Sequence, residues 1–116
     1  MTSPGLIDLS NNNLLEQIDV SVNQLTGIDV SNLSNLITLL VYGNQITSIN
    51  VDNNPNLETL FVMGNQLEHL DLTNNPLLTY IACYNNNLST LILPPIDTLS
   101  TEDHAMGSGN NINLTC

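Results

Sequence analysis

Residues 35–46 read NLITLLVYGNQI, and residues 56–67 read NLETLFVMGNQL. Over these 21-residue-spaced segments, Asn, Leu, Thr, Leu, Val, Gly, Asn and Gln recur in register. The pair is part of a longer pattern. Stepping by 21 gives Leu15, Leu36, Leu57 and Leu78, then Ile18, Leu39, Leu60 and Ile81. The next columns are Val20, Val41, Val62 and Cys83, and Asn23, Asn44, Asn65 and Asn86. They are followed by Leu25, Ile46, Leu67 and Leu88, by Ile28, Ile49, Leu70 and Leu91, and by Val30, Val51, Leu72 and Leu93. Self-similarity at a fixed period of this length is the signature of a stacked repeat architecture.

Apolar residues alternate around Leu39 and Val41, with Leu40 and Tyr42 between them, which is the period of two of a strand. A second alternation, Leu70 and Leu72 around Asp71, is also strand-like. Twenty-one residues leave little room for a helix, so two narrow sheets or extended faces are expected back to back. One copy cannot bury its apolar side alone, whereas stacked copies share a continuous Leu/Ile/Val core. The Asn column falls where the chain turns inward. There a carboxamide can satisfy backbone groups of its own and the neighbouring coil, a structural ladder rather than a ligand channel.

Each copy has the form LxxLxVxxNxLxxIDVSxNxx. This resembles the leucine-rich repeat family, in particular its short 21-residue bacterial type, LxxLxLxxNxLxxLDLxxN. The resemblance implies a horseshoe-like solenoid with a parallel β-sheet on the concave face, and binding of a protein partner as the usual function. The array is read over residues 1–93, with a half repeat at 6–14 and full repeats starting at 15, 36, 57 and 78. Pro94 and Pro95 cannot donate to a strand ladder. Residues 94–116 are therefore expected to form a degenerate last coil that caps the core; the alternative is a piece cut from a longer repeat protein.

Composition excludes several functions. The 116 residues contain no Lys or Arg against 11 Asp and Glu, a formal charge of −11. Nucleic-acid binding is not expected without cations to displace counterions from phosphates, and attraction to anionic membranes fails likewise. No apolar run approaches the 18 residues of a membrane span, and MTSPGLID lacks the basic and apolar regions of a signal peptide. The acidic surface reads as a solubility device, or as resistance to trypsin-like proteases outside the cell. An extracellular or cell-surface location follows from the second reading.

No catalytic set, cofactor or metal site is expected. His69 can be drawn into a Ser/His/Asp group with Thr47 or Ser48, but no strained nucleophile elbow is present. Cys83 sits in a core column and reads as a small buried hydrophobe; a disulfide to Cys116 is the alternative to a reduced thiol at the terminus. Asp8, Asp29, Asn50 and Asp71 stack in one column, yet no glycine pattern of a calcium repeat accompanies them. Asn32, Asn87 and Asn113 begin N-x-S/T motifs, a chance match in so Asn-rich a chain.

The outward positions of the first strand carry the functional expectation. Its columns run Gln17, Thr38, Thr59, Tyr80; then Asp19, Leu40, Phe61, Ala82; then Ser21, Tyr42, Met63, Tyr84. Every aromatic residue of the chain falls here. Leu40, Tyr42, Phe61, Met63, Tyr80 and Tyr84 are therefore the expected partner-binding residues, rimmed by Gln17, Asp19 and Ser21. The reading is a non-enzymatic protein-recognition module. Two alternatives stand beside it. One is a structural or self-associating segment of a longer repeat protein, including a weak homodimer through the concave face. The other is the targeting array of a bacterial effector lacking its catalytic domain, since LILPPIDTL at residues 91–99 resembles the terminal repeats of effector ubiquitin ligases.

Overall fold

The computed structural model describes residues 5–94 of the chain. The expected cap at 94–116 lies, beyond Pro94, outside the described residues. Those described wind into a parallel β-solenoid whose coils follow the 21-residue period, with no helix among them. Strands β1 (Gln17–Asp19), β2 (Thr38–Leu40), β3 (Thr59–Phe61) and β5 (Tyr80–Ala82) form one parallel sheet in the order β1-β2-β3-β5. Strands β4 (His69–Asp71) and β6 (Thr90–Ile92) form a second, two-stranded parallel sheet. Register follows the repeat without a slip: Ile18 lies beside Leu39, Leu39 beside Leu60, and Leu60 beside Ile81.

The core lies between the two faces. Leu36, Leu39, Val41, Ile46 and Val51 of one coil are fully buried, as are Leu57, Leu60, Val62, Leu67 and Leu72 of the next. Burying each such side chain stabilises the fold by roughly 1.5–3 kcal/mol, but the burial comes from adjacent layers. A single coil would expose both of its flat sides. This is why a chain with no Trp and one Phe can still fold: its core is built from thin, regular slices of aliphatic side chains.

Cross-coil backbone hydrogen bonds are continuous on the first face. Thr59 N–H donates to Ile37 O, Val41 N–H to Phe61 O, Gly43 N–H to Met63 O and Gln66 N–H to Ile46 O. On the second face pairing is confined to β4 and β6. The equivalent stretches at 27–29 and 48–50 are not strands, and Ile28 and Ile49 are only half-buried. Closely bonded coils on one face and parted coils on the other give the first face the shorter perimeter, so it is the concave one.

Two sets of asparagines close the coils. In the first, Asn65 Nδ2 donates to Val62 O of its own coil at 2.9 Å and to Val41 O of the preceding coil at 3.0 Å. Its Oδ1 accepts from Ile46 N–H of the preceding coil at 3.0 Å. Asn44 and Asn86 repeat this geometry on Val20, Val41 and Leu25, and on Val62, Cys83 and Leu67. Asn23 is exposed, and among the described residues its Nδ2 bonds only Val20 O and Ser21 O of its own coil.

The second set sits at the opposite turn. Asn54 Nδ2 donates to Val30 O and Leu33 O, and Asn75 Nδ2 to Val51 O and Asn54 O, across the coil boundary. Both side chains are fully buried, yet neither Oδ1 has a hydrogen-bond partner. Leu33 fills the same place one coil earlier and is equally buried.

The two ladders therefore differ in what they are worth. Replacing Asn65 by Leu strands the buried Ile46 N–H and should lower unfolding stability by about 2–4 kcal/mol. Replacing Asn54 by Leu removes an unsatisfied oxygen, copies Leu33, and leaves Val30 O and Leu33 O still accepting from Leu33 and Leu36 N–H. Its stability should stay within about 1 kcal/mol of the parent. Denaturant titration of both variants checks the contrast.

Candidate functional site on the concave sheet

The strand ladder places the outward side chains in rows across the coils. Asp19 stands beside Leu40, Leu40 beside Phe61, and Phe61 beside Ala82. Gln17, Thr38, Thr59 and Tyr80 form the row before it. Beyond the strands, Val22 N–H on Tyr42 O, Gly43 N–H on Met63 O and Gly64 N–H on Tyr84 O keep Ser21, Tyr42, Met63 and Tyr84 in step. Alternate residues of one strand are about 6.7 Å apart and neighbouring strands about 4.8 Å apart. Leu40, Tyr42, Phe61 and Met63 thus make one connected surface.

None of these four is in the core. Each is half-buried, as is Tyr84, while Tyr80 is 52% exposed. Ala82 departs from its row at 5% exposure. The hydroxyls of Tyr42, Tyr80 and Tyr84 make no hydrogen bond among the described residues. Gln17 and Asp19 are exposed and Ser21 half-buried on the β1 side, where Asp19 Oδ1 accepts from Ser21 N–H at 3.1 Å. The Ser21 hydroxyl is buried without a partner.

A ridge of left-handed backbone borders this surface. Val22, Gly43, Gly64 and Asn85 have φ of 55°, 71°, 70° and 56°. Gly suits such a position and Asn tolerates it, but a β-branched side chain there is strained. A Cβ on Gly43 would also meet the Val22 Cα at 3.4 Å. Val22 is 73% exposed, so it holds this conformation without burying its side chain. Positive φ is not written in a hydrophobic pattern, although the recurrence of Gly, Gly and Asn in the column is a signal for it.

The second face offers less to bind. Its groove of about 620 Å³ lies where the coils part, lined by Ile28, Asp29, Ser48, Ile49, Asn50 and Asp52 among others. The acidic column is occupied by its own chain. Asp29 Oδ1 accepts from Ser31 N–H at 2.9 Å and from Ser31 Oγ at 2.6 Å. Asp8 takes the same two bonds from Ser10, and Asp71 from Thr73. No group of three or more His, Cys, Asp or Glu among the described residues is placed to hold a metal ion. His69 is exposed in β4 and makes no side-chain hydrogen bond to Thr47, Ser48 or Asp71. Cys83 is buried in its core column, and burial pushes its thiol pKa up to about 12, so it is protonated and unreactive at neutral pH.

These features define a leucine-rich-repeat solenoid that presents one apolar sheet face and one polar, acidic face. Among solved structures, the chain is similar to the functional domain of InlJ from Listeria monocytogenes, a domain that includes a cysteine ladder. The two share 24% identity at a TM-score of 0.70, over 96% of this chain and 29% of that one. The chain thus spans less than a third of that solved protein, and the likeness is one of fold. No protein-family model and no curated protein sequence matches it.

Relieving the strain at Val22 should stabilise the fold. Val22→Asn puts at this position the residue type that Asn85 shows there, and should raise unfolding stability by about 1 kcal/mol, read from the denaturation midpoint. A second expectation concerns pH. The Ser and Thr hydroxyls, and then the backbone N–H groups, hold Asp8, Asp29 and Asp71 below the ordinary carboxylate value. A depressed folded-state pKa gives stability that is present above the unfolded value and lost as pH falls through the folded one. Against this, protonation relieves repulsion in a chain of charge −11 with no cation. The thermal midpoint should therefore rise as pH drops from 7 to about 4.5 and fall below about 3.5. The low-pH fall should be shallower in a Ser10→Ala, Ser31→Ala, Thr73→Val variant, as followed by circular dichroism.

Proposed function

We propose that the chain is a non-enzymatic protein-recognition module that binds a protein partner through the apolar side chains of its concave sheet. We assign its coils to the short bacterial class of leucine-rich repeats. The observation that carries the reading is the segregation of surface types: Leu40, Tyr42, Phe61, Met63, Tyr80 and Tyr84 share one face, and the opposite face is acidic and polar but for the exposed Ile92. Connected apolar patches on soluble proteins mark interaction sites, and Tyr, Phe and Met are enriched in the centres of interfaces. The backbone ladder fixes these anchors before a partner arrives, so little conformational entropy is lost on binding. Likeness to a bacterial functional domain of the same fold supports the class of function. The absence of Lys and Arg, which leaves no cleavage site for trypsin-like proteases, supports an extracellular or cell-surface setting.

Phe61→Asp and Tyr42→Asp should each abolish retention of the partner in a pull-down, while Thr47→Asp on the opposite face leaves it intact. Because both residues are only half-buried, unfolding stability should change by no more than about 1.5 kcal/mol. Loss of binding together with a collapse in stability would show a surface covered within the molecule and would overturn the reading.

A further inference from the structure

We propose that the segment bound on the concave sheet carries Lys or Arg side chains set among apolar ones, an inference that rests on the recognition reading above. Exposed acidic residues flank the apolar rows along the chain. Asp19 occupies the same row as Leu40 and Phe61 on the outermost strand β1. Glu16 and Glu58 stand just before β1 and β3, where their carbonyls accept from Thr38 and Tyr80 N–H, at the entrance to the Thr38–Thr59–Tyr80 row. All three acidic residues are exposed, and the chain offers them no Lys or Arg.

Charge then selects the occupant. A second copy of this chain would bring a further −11 and no cation to the contact, and like charges brought together across an interface are costly. A partner segment with basic groups meets the opposite field and is steered to it. The aromatic side chains add to the match, since the ring faces of Tyr42, Phe61, Tyr80 and Tyr84 attract ammonium and guanidinium groups. The tyrosine hydroxyls supply acceptors for the same donors. Four strands about 4.8 Å apart make a face about 14 Å wide, which an extended segment crosses in about four to five residues. Such a segment presents alternate side chains to the sheet, apolar ones to Leu40 and Phe61 and basic ones to the edge carboxylates and rings.

The test uses a displayed library of random twelve-residue peptides selected on the immobilised chain. Each selected peptide is measured against Phe61→Ser and Tyr42→Ser, which keep the charge, and against a Glu16→Gln, Asp19→Asn, Glu58→Gln triple variant. The expected peptides are enriched in Lys and Arg next to Leu, Phe or Tyr. They should weaken at least about tenfold on either apolar variant, on the triple variant, and between 50 and 500 mM NaCl. Peptides that depend on Phe61 and Tyr42 but are neutral, and indifferent to the triple variant, overturn the charge inference and leave the recognition reading standing. Peptides indifferent to Phe61 and Tyr42, or no recovery above that of the two apolar variants, overturn both.

Discussion

A carboxamide at three successive inward turns ties each coil to the one before, and the regularity of the solenoid depends on it. Asn44, Asn65 and Asn86 each give two donors and one acceptor to backbone groups split between their own coil and the one before. An N–H or C=O buried in an aliphatic core without a partner costs about 1–3 kcal/mol. With 21 residues per coil there is no helix whose internal bonds could satisfy these groups. A side chain with both a donor and an acceptor, short enough to stay inside the turn, is the economical solution, and Asn supplies it. Register across the sheet follows, because each amide accepts the coil below in only one alignment.

Fixed register has a consequence for the outer surface. Since every coil repeats the same inward set, a residue placed outward in one coil lies beside its counterpart in the next, as Leu40 lies beside Phe61. Variation at those positions changes the surface without disturbing the core. The bonding that stacks the coils thus sets apart positions that specify the fold from positions open to recognition. The same logic applies to charge: every carboxylate among the described residues is exposed, outside the aliphatic layers.

Much of the fold was legible in the 21-residue columns, because a buried position repeats its chemistry. Leu39, Leu60 and Ile81, or Asn44, Asn65 and Asn86, announce themselves by recurrence. The second asparagine ladder did not, because its column begins Asn12, Leu33 before reaching Asn54 and Asn75, and a mixed column hides a common geometry. Leu and Asn coexist there because the turn carbonyls already accept backbone donors. The restriction of the second sheet to β4 and β6 was likewise hidden, since Ile28, Ile49, Leu70 and Leu91 form a uniform column while only the latter two lie in strands. Pairing there depends on how far the coils part, which is a property of the arc. The outward rows were readable from the strand period, but the low exposure of Ala82 was not, because it depends on its surroundings rather than on its own type.

The unequal rungs of the first asparagine ladder give the array a direction. Asn44, Asn65 and Asn86 lock their coils to a predecessor, whereas Asn23, among the described residues, bonds only within its own. The coil that holds Asn23 also carries the strained Val22 and the half-buried Ile28, and it borders the open groove. In a linear array whose stability is a sum of neighbouring contacts, opening under native conditions starts at the weakest contact and runs inward. Among the described coils, amide protons around Val20 and Leu25 would then exchange with solvent well before those around Val62 and Leu67.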